Sequence, residues 1–260
     1  QLKEINPRLI FASLTPFGEF GPKCNSNMPD YDNVTQARSD IMYATGEVLP
    51  EGKTVDEMPW AIPTKDGPWV GWFQPATFLA LGILSALRWR SITGEGQALD
   101  TATNEGYRRF DDYNCAWYHE GGVINERFGS LDTALWLYCF APTKDGGVFL
   151  GGLVARQWQS FGDMMGMWDE WGAEQWTDIA PFMFKESQLE WAPKVFAETM
   201  KYTNDELVQM SVEYARNGRL APVTPVVAPI STPEECSKDP NWLNRGMFTP
   251  VADPLYGDVV

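Results

Sequence analysis

The stretch "DGPWVGWFQPATFLALGILSALRWR", Asp66 to Arg90, constrains the fold more than any other part of the chain. A tryptophan-rich loop feeds residues that are apolar on nearly every face of a helix, the pattern of an element covered on all sides rather than of an amphipathic surface helix. With Pro75 taken as the helix start, the sequence predicts a deeply buried helix from Pro75 to about Arg90. A position just ahead of such a helix is held rigidly, which suits a catalytic group, and here that position offers Trp72. The run "ATFLALGILSAL" is short for a bilayer span and ends at Arg88 and Arg90, and "QLKEINPRLI" lacks a signal-peptide layout. A soluble chain with no membrane partner is the expectation.

The 260 residues are 44% hydrophobic and 13% aromatic, enough for one large or two modest domains with a real core. A net charge of -15 argues against nucleic acid as a partner, because polyphosphates require a local excess of Lys and Arg. Cys24, Cys115, Cys139 and Cys236 are scattered without CxxC spacing, which suits free thiols in a reducing compartment, so the cytoplasm is expected. His119 is the sole histidine, and no multi-histidine metal site can form; no metal is expected. A Ser or Cys triad built on His119 is the histidine mechanism that survives, with an exposed helical histidine the plainer reading.

"RLIFAS" reads as a buried strand followed by the Gly/Pro loop "LTPFGEFGPKCNSNMPD". "YDNVTQARSDIMYATG" reads as one helix closed by Gly46, and the turn "TGEGQ" separates the apolar helix from a strand, "ALDTA". A second helix is expected from about Asn104 to Glu120. From Leu131 the pattern changes to a hairpin around Lys144-Asp145-Gly146-Gly147, then a helix stopped by Gly166 and another from Asn204 to Gly218. Ser231 reads as the cap of a further short helix. The cluster "MWDEWGAEQW" suits an aromatic substrate pocket, a partner interface or a small-domain core.

Taken in order, "INPRLIFASLTPFGEFGP", "YDNVTQARSDIMYATGE", "GILSALRWRSITGEGQALD", "PTKDGGVFLGGLVARQW" and "APVTPVVAPISTPEECSKDP" resemble the family III CoA-transferases along almost the whole chain. The resemblance implies an α/β protein with three parts: the second half of a large Rossmann-like domain (1–125), a small α+β domain (126–225) and a segment returning toward the large domain (226–260). It also implies an interlocked dimer, with the family's N-terminal half-sheet expected before Gln1 and its final return segment after Val260. The implied chemistry is exchange of CoA between an acyl-CoA and a carboxylic acid, with coenzyme A as the substrate thioester. In that scheme an aspartate ahead of the apolar helix attacks the thioester.

Counting back from Gly82 without a gap places the family's aspartate on Trp72, whose indole has no lone pair for acyl transfer. This suggests a non-catalytic subunit partnered by a homologous CoA-transferase chain. A slipped alignment would give the carboxylate to Asp66 or Glu105 instead, and a CoA-fold scaffold or binding protein is a third reading. By resemblance, Tyr31 matches an active-site tyrosine, or it packs on the core. Phe17 and Gly18 match the turn that approaches the acyl end of CoA, or Gly18 simply serves a left-handed turn. Gln74 would donate to a carbonyl or stand as a polar residue at the helix start.

Overall fold

The computed structural model describes residues 2–54, 56–111, 113–132, 135–177, 185–221 and 223–259, and the chain divides into two units, 1–129 and 130–260. The first unit opens with α1 (Leu2–Ile5) and β1 (Phe11–Thr15). Next come α2 (Asp32–Arg38), α3 (Asp40–Ala44) and the long α4 (Val70–Thr93), then β2 (Ala98–Ala102), α5 (Thr103–Arg108) and α6 (Asn114–Gly121). β1 and β2 pair in parallel, from Phe11 opposite Ala98 to Thr15 opposite Ala102, so both strands deliver their chain to the same carboxyl end. That end of a parallel pair is where α/β proteins place ligands.

α4 departs from its sequence expectation in three ways. It starts at Val70, placing Pro75 inside the helix. Its ring packs on Gly106 of α5, where a Cβ would lie 2.7 Å from the Pro75 Cβ. The helix is also not deeply buried within the described chain: only Gly71, Pro75 and Ala86 are covered, while Leu81 and Leu84 are 60% and 64% exposed. α2, α5, β1 and β2 pack along α4 without enclosing it. Finally, its 24 residues make it long and apolar enough to cross a membrane by length and composition, a test that core helices of soluble proteins also pass. Gly94 in the left-handed region ends it, as the glycine in "TGEGQ" suggests.

Two other expected helices are each divided. Ser39 breaks the first, its hydroxyl donating to the Gln36 carbonyl at 2.6 Å, between α2 and α3. The second stops at Arg108 and restarts at Asn114, whose backbone N–H is held by the Asp111 carboxylate at 3.1 Å. β1 is likewise more open than a buried strand, with only Ser13 covered.

The second unit holds β3 (Tyr138–Pro142), β4 (Gly147–Gly151) and, after α7 (Ala155–Met164), α8 (Lys185–Thr199) and α9 (Asn204–Asn217), the strand β5 (Val226–Pro229). The three strands form one antiparallel sheet in the order β3-β4-β5, so residues 226–229 pair with β4. Cys139 and Ala141 face inward while Tyr138 and Phe140 face out, the period-two alternation of a sheet covered on one side. Tryptophans fill the core: Trp158 stacks on Trp171 with centroids 5.2 Å apart and meets Trp136 edge-on at 5.6 Å. Trp171 of "MWDEWGAEQW" is thus a core residue. Thr203 and Thr232, rather than Asn204 and Ser231, are the caps, each in a capping box with the glutamate three residues on. The unit closes with α10 (Pro233–Lys238), α11 (Pro240–Asn244) and the hairpin β6 (Val251–Asp253) and β7 (Gly257–Val259).

The Pro75–Gly106 contact makes opposite predictions for two glycines. Gly106→Ala drives a methyl into the Pro75 ring and is expected to lower unfolding free energy by about 1–3 kcal/mol. Gly82→Ala, where a Cβ meets only Leu99 at 3.6 Å, is expected to raise it by about 0.5–1 kcal/mol through helix propensity. Urea denaturation of both variants checks the pair.

Candidate functional site

The N-terminal turn of α4 lacks a local cap: Trp69 takes the N-cap position with φ 67° and offers no side-chain acceptor. The acceptor comes from α2 instead. Asp32, 7% exposed, accepts the Gly71 N–H at 2.8 Å on Oδ1 and the Gln36 side-chain amide at 2.9 Å on Oδ2. A carboxylate at this end also complements the helix dipole. A side chain at Gly71 would be tight, since a Cβ would lie 3.0 Å from the Asp32 Oδ1 and 3.1 Å from its carbonyl oxygen.

Gln36 is fully buried and carries the network onward. Its amide also donates to the Gly67 carbonyl at 3.3 Å, and its Oε1 accepts the Asp66 N–H at 2.9 Å. The Tyr107 hydroxyl of α5 donates to Asp66 Oδ2 at 2.6 Å. Burial, then the Asp66 hydrogen bond and the negative charges of Asp66 and Asp32, hold the Tyr107 phenol well above its ordinary range, so it remains a donor. A second, partly buried set, with Thr35 and Thr103 both donating to Asp30 at 2.7 Å, fixes the segment just ahead of α2.

Among the residues the sequence singled out, Trp72 lies in the first turn of α4, half-buried and 5.4 Å from Trp69 in a tilted ring contact. Gln74 follows on the same helix, half-buried, inside the element rather than at its start. Asp66 is tied to Tyr107 and Gln36, whereas Glu105 is exposed on α5. Tyr31 is 65% exposed at the N-cap of α2 and so does not pack on the core. Phe17 and Gly18 follow β1, in a loop pinned where Asp100 of β2 accepts the Glu19 N–H at 2.9 Å and Ser13 bonds the Glu19 carboxylate. Gly18 has φ 79°, which a side chain would disfavour.

Phe17 and Glu105 meet in one open cavity of about 520 Å³ at the carboxyl ends of β1 and β2, lined also by Phe20, Lys23, Arg38 and Asn104. Sequence reading did not single out Asp32, Gln36, Tyr107, Lys23 or Arg38. The Asp32–Gln36 pair at i,i+4 was the one local signal available.

Asp40, Asp111 and Cys115 bring potential metal-ligand atoms within 4.8 Å of one another. The Arg108 guanidinium already pairs with Asp40 at 3.1 Å and Asp111 at 2.8 Å, so the cluster is an ion-pair network.

The sequence profile of CoA-transferase family III matches residues 1–260, and the chain belongs to that family. Among its relatives, the succinyl-CoA:mesaconate CoA-transferase of Haloarcula marismortui is 27% identical over 99% of this chain and 59% of its own length. The succinyl-CoA–D-citramalate CoA-transferase of Chloroflexus aurantiacus is 29% identical over 100% of this chain and 59% of its own length. The beta subunit of the succinyl-CoA–L-malate CoA-transferase from the same organism is 31% identical over 50% of this chain and 30% of its own length. The chain therefore spans well under two thirds of the full-length relatives it matches. In structure it is similar to a CaiB/BaiF family protein of Brucella suis, with 24% identity, a TM-score of 0.66 and coverage of 96% and 60% of the two chains. The fold is that of family III CoA-transferases.

Two measurements test the electrostatics. Asp32→Ala leaves the Gly71 N–H buried without its acceptor and is expected to cost about 1–3 kcal/mol in urea denaturation, with Asp32→Asn costing less because an acceptor oxygen remains. Asp40 is raised from 3.8 to about 6, chiefly by burial and then by Asp111, with Arg108 opposing. A raised carboxyl pKa means the folded state holds its proton more tightly, so this contribution is complete below pH 3.8 and is lost as pH rises through about 6. Asp40→Asn is expected to reduce that decline, read from unfolding free energies across the window.

Proposed function

We propose that this chain is a subunit of a CoA-transferase that exchanges CoA between an acyl-CoA and a carboxylic acid, and that it assists rather than performs the acyl transfer. One observation carries the reading. The place that the family resemblance assigns to the nucleophilic aspartate is held by Trp72, fixed in the first turn of α4 by the Asp32–Gly71 anchor and in contact with Trp69. An indole is larger than an aspartate side chain and supplies no acyl acceptor. The nearby carboxylates are committed: Asp32 to Gly71 and Gln36, Asp66 to Tyr107. A relative named as a beta subunit supports a setting with more than one kind of chain. The acting carboxylate then belongs to a homologous partner, and four free cysteines suit a cytoplasmic home.

Glu105 keeps a second reading open, because it is exposed and lines the same cavity as Phe17. Trapping with hydroxylamine during turnover, followed by peptide mapping, separates the two. The expected result is modification on the partner chain and none here; a hydroxamate at Glu105 or Asp66 overturns the assisting role. Glu105→Gln is expected to leave the exchange rate of the complete enzyme within about threefold, far from the loss of several orders of magnitude that follows removal of a covalent nucleophile.

A further inference from the structure

The three-stranded sheet of the second unit is apolar on both faces. Cys139, Leu150 and Val227 form a row on the inner face, against the tryptophan core. On the outer face, pairing sets Tyr138, Gly151 and Val226 in one row and Phe140, Phe149 and Ala228 in the next. Pro142 and Gly147 continue it with Ile230, whose Cδ1 would lie 3.0 Å from a Cβ on Gly147. No residue of this outer array is charged, and the Tyr138 hydroxyl is its single polar side-chain group. An antiparallel sheet with one face in water alternates apolar and polar residues, and here the polar half of that pattern is missing.

Tyr138, Phe140, Val226 and Ile230 are nonetheless 37–53% exposed. Scaled by the 150–250 Å² that a free aromatic side chain offers, the array leaves roughly 400 Å² of apolar surface in water. A specific contact takes about 800 Å² from each partner, so the array by itself supplies about half of one. It is also preformed, because Phe149 holds Tyr138 edge-on at 4.8 Å and Phe140 at 5.6 Å.

Two features point to the occupant. A face without cations on a chain of net charge -15 disfavours nucleic acid and anionic lipid. The face also fits itself, with its bulk on β3 and smaller residues on β5. A second copy turned over about an axis along β4 places its Ala228 against Phe140 and its Val226 against Tyr138, while the two Phe149 rings meet on the axis. We infer that this face is the contact between two copies of the chain, packed sheet to sheet. The contact concerns assembly and stands whether or not the chain takes part in CoA transfer.

Sedimentation equilibrium of the intact protein is expected to show a dimer. Phe140→Asp should raise its Kd at least about 100-fold, since each copy would bury an unpaired carboxylate. Leu255→Asp, at an exposed apolar position outside this sheet, should leave the dimer unchanged. A parent protein still monomeric at about 100 μM overturns the inference, as does a dimer that persists in Phe140→Asp. Cross-linking gives a second test that does not depend on the aspartate variant folding. Within one copy, positions 138 and 226 flank Gly151 on the two outer strands, about 10 Å apart by strand spacing and beyond disulfide reach. Oxidation of the double variant Tyr138→Cys, Val226→Cys is therefore expected to give a covalent dimer that the parent and either single variant do not give, and its absence overturns the sheet-to-sheet packing. Two further results overturn it by naming another occupant: binding of a monomeric parent to phosphatidylcholine vesicles, or to a homologous subunit, that Phe140→Asp abolishes.

Discussion

The bond between the Asp32 carboxylate and the Gly71 N–H organises the first unit. A helix of 24 residues begins there without a capping side chain of its own, and its first-turn donors would otherwise be exposed or unpaired. Asp32 satisfies one of them from another helix, and in doing so it sets where Val70, Gly71 and Trp72 lie. Gln36 and Tyr107 then tie the preceding loop to the same point through Asp66. Three helices and a loop are therefore joined by one chain of buried and partly buried hydrogen bonds. A network of this kind is stable only while each member is satisfied.

This arrangement separates two features that a family-level reading would place together. The first turn of α4 is rigid, but it presents an indole. The open cavity lined by Phe17 and Glu105 sits at the carboxyl ends of the parallel strands, where the loop after β1 and the start of α5 meet. Glu105 faces that cavity and Asp66 does not line it. The chain thus has an indole at the position that the family resemblance gives to the acyl acceptor, while Glu105 lines a separate cavity. The proposed division of labour between this chain and a partner follows from that combination.

Parts of the molecule were legible in the sequence for short-range reasons. The strand at Ala98–Ala102, the hairpin around Lys144–Gly147, the stop at Gly94 and the end of the helix near Gly166 follow from alternation and from glycine's access to positive φ. The start of α4 was misread because Pro75 obeys a local rule for first turns, whereas the helix begins five residues earlier, where Asp32 from α2 accepts the Gly71 N–H. Ser39 and Asn204 were misread by a similar margin: a hydroxyl returning to the Gln36 carbonyl splits one helix, and a threonine one place earlier caps the other. Within the described residues α4 is covered less than its sequence suggests, because apolarity on all faces states what a helix tolerates, not what covers it.

The sequence by itself determined the family, the parallel strand pair's segments and the hairpin, and the presence of an indole at the position that the family resemblance assigns to a carboxylate. Only the tertiary structure decided which side chains meet. Asp32 reaches Gly71 across 39 positions and Tyr107 reaches Asp66 across 41. Lys23, Arg38 and Glu105 share one cavity although they come from three different segments. The reason is range: turns, caps and periodicity are set by neighbours within a few residues, whereas a buried carboxylate finds its donor only when packing has brought distant backbone to it and removed the water that would have served instead.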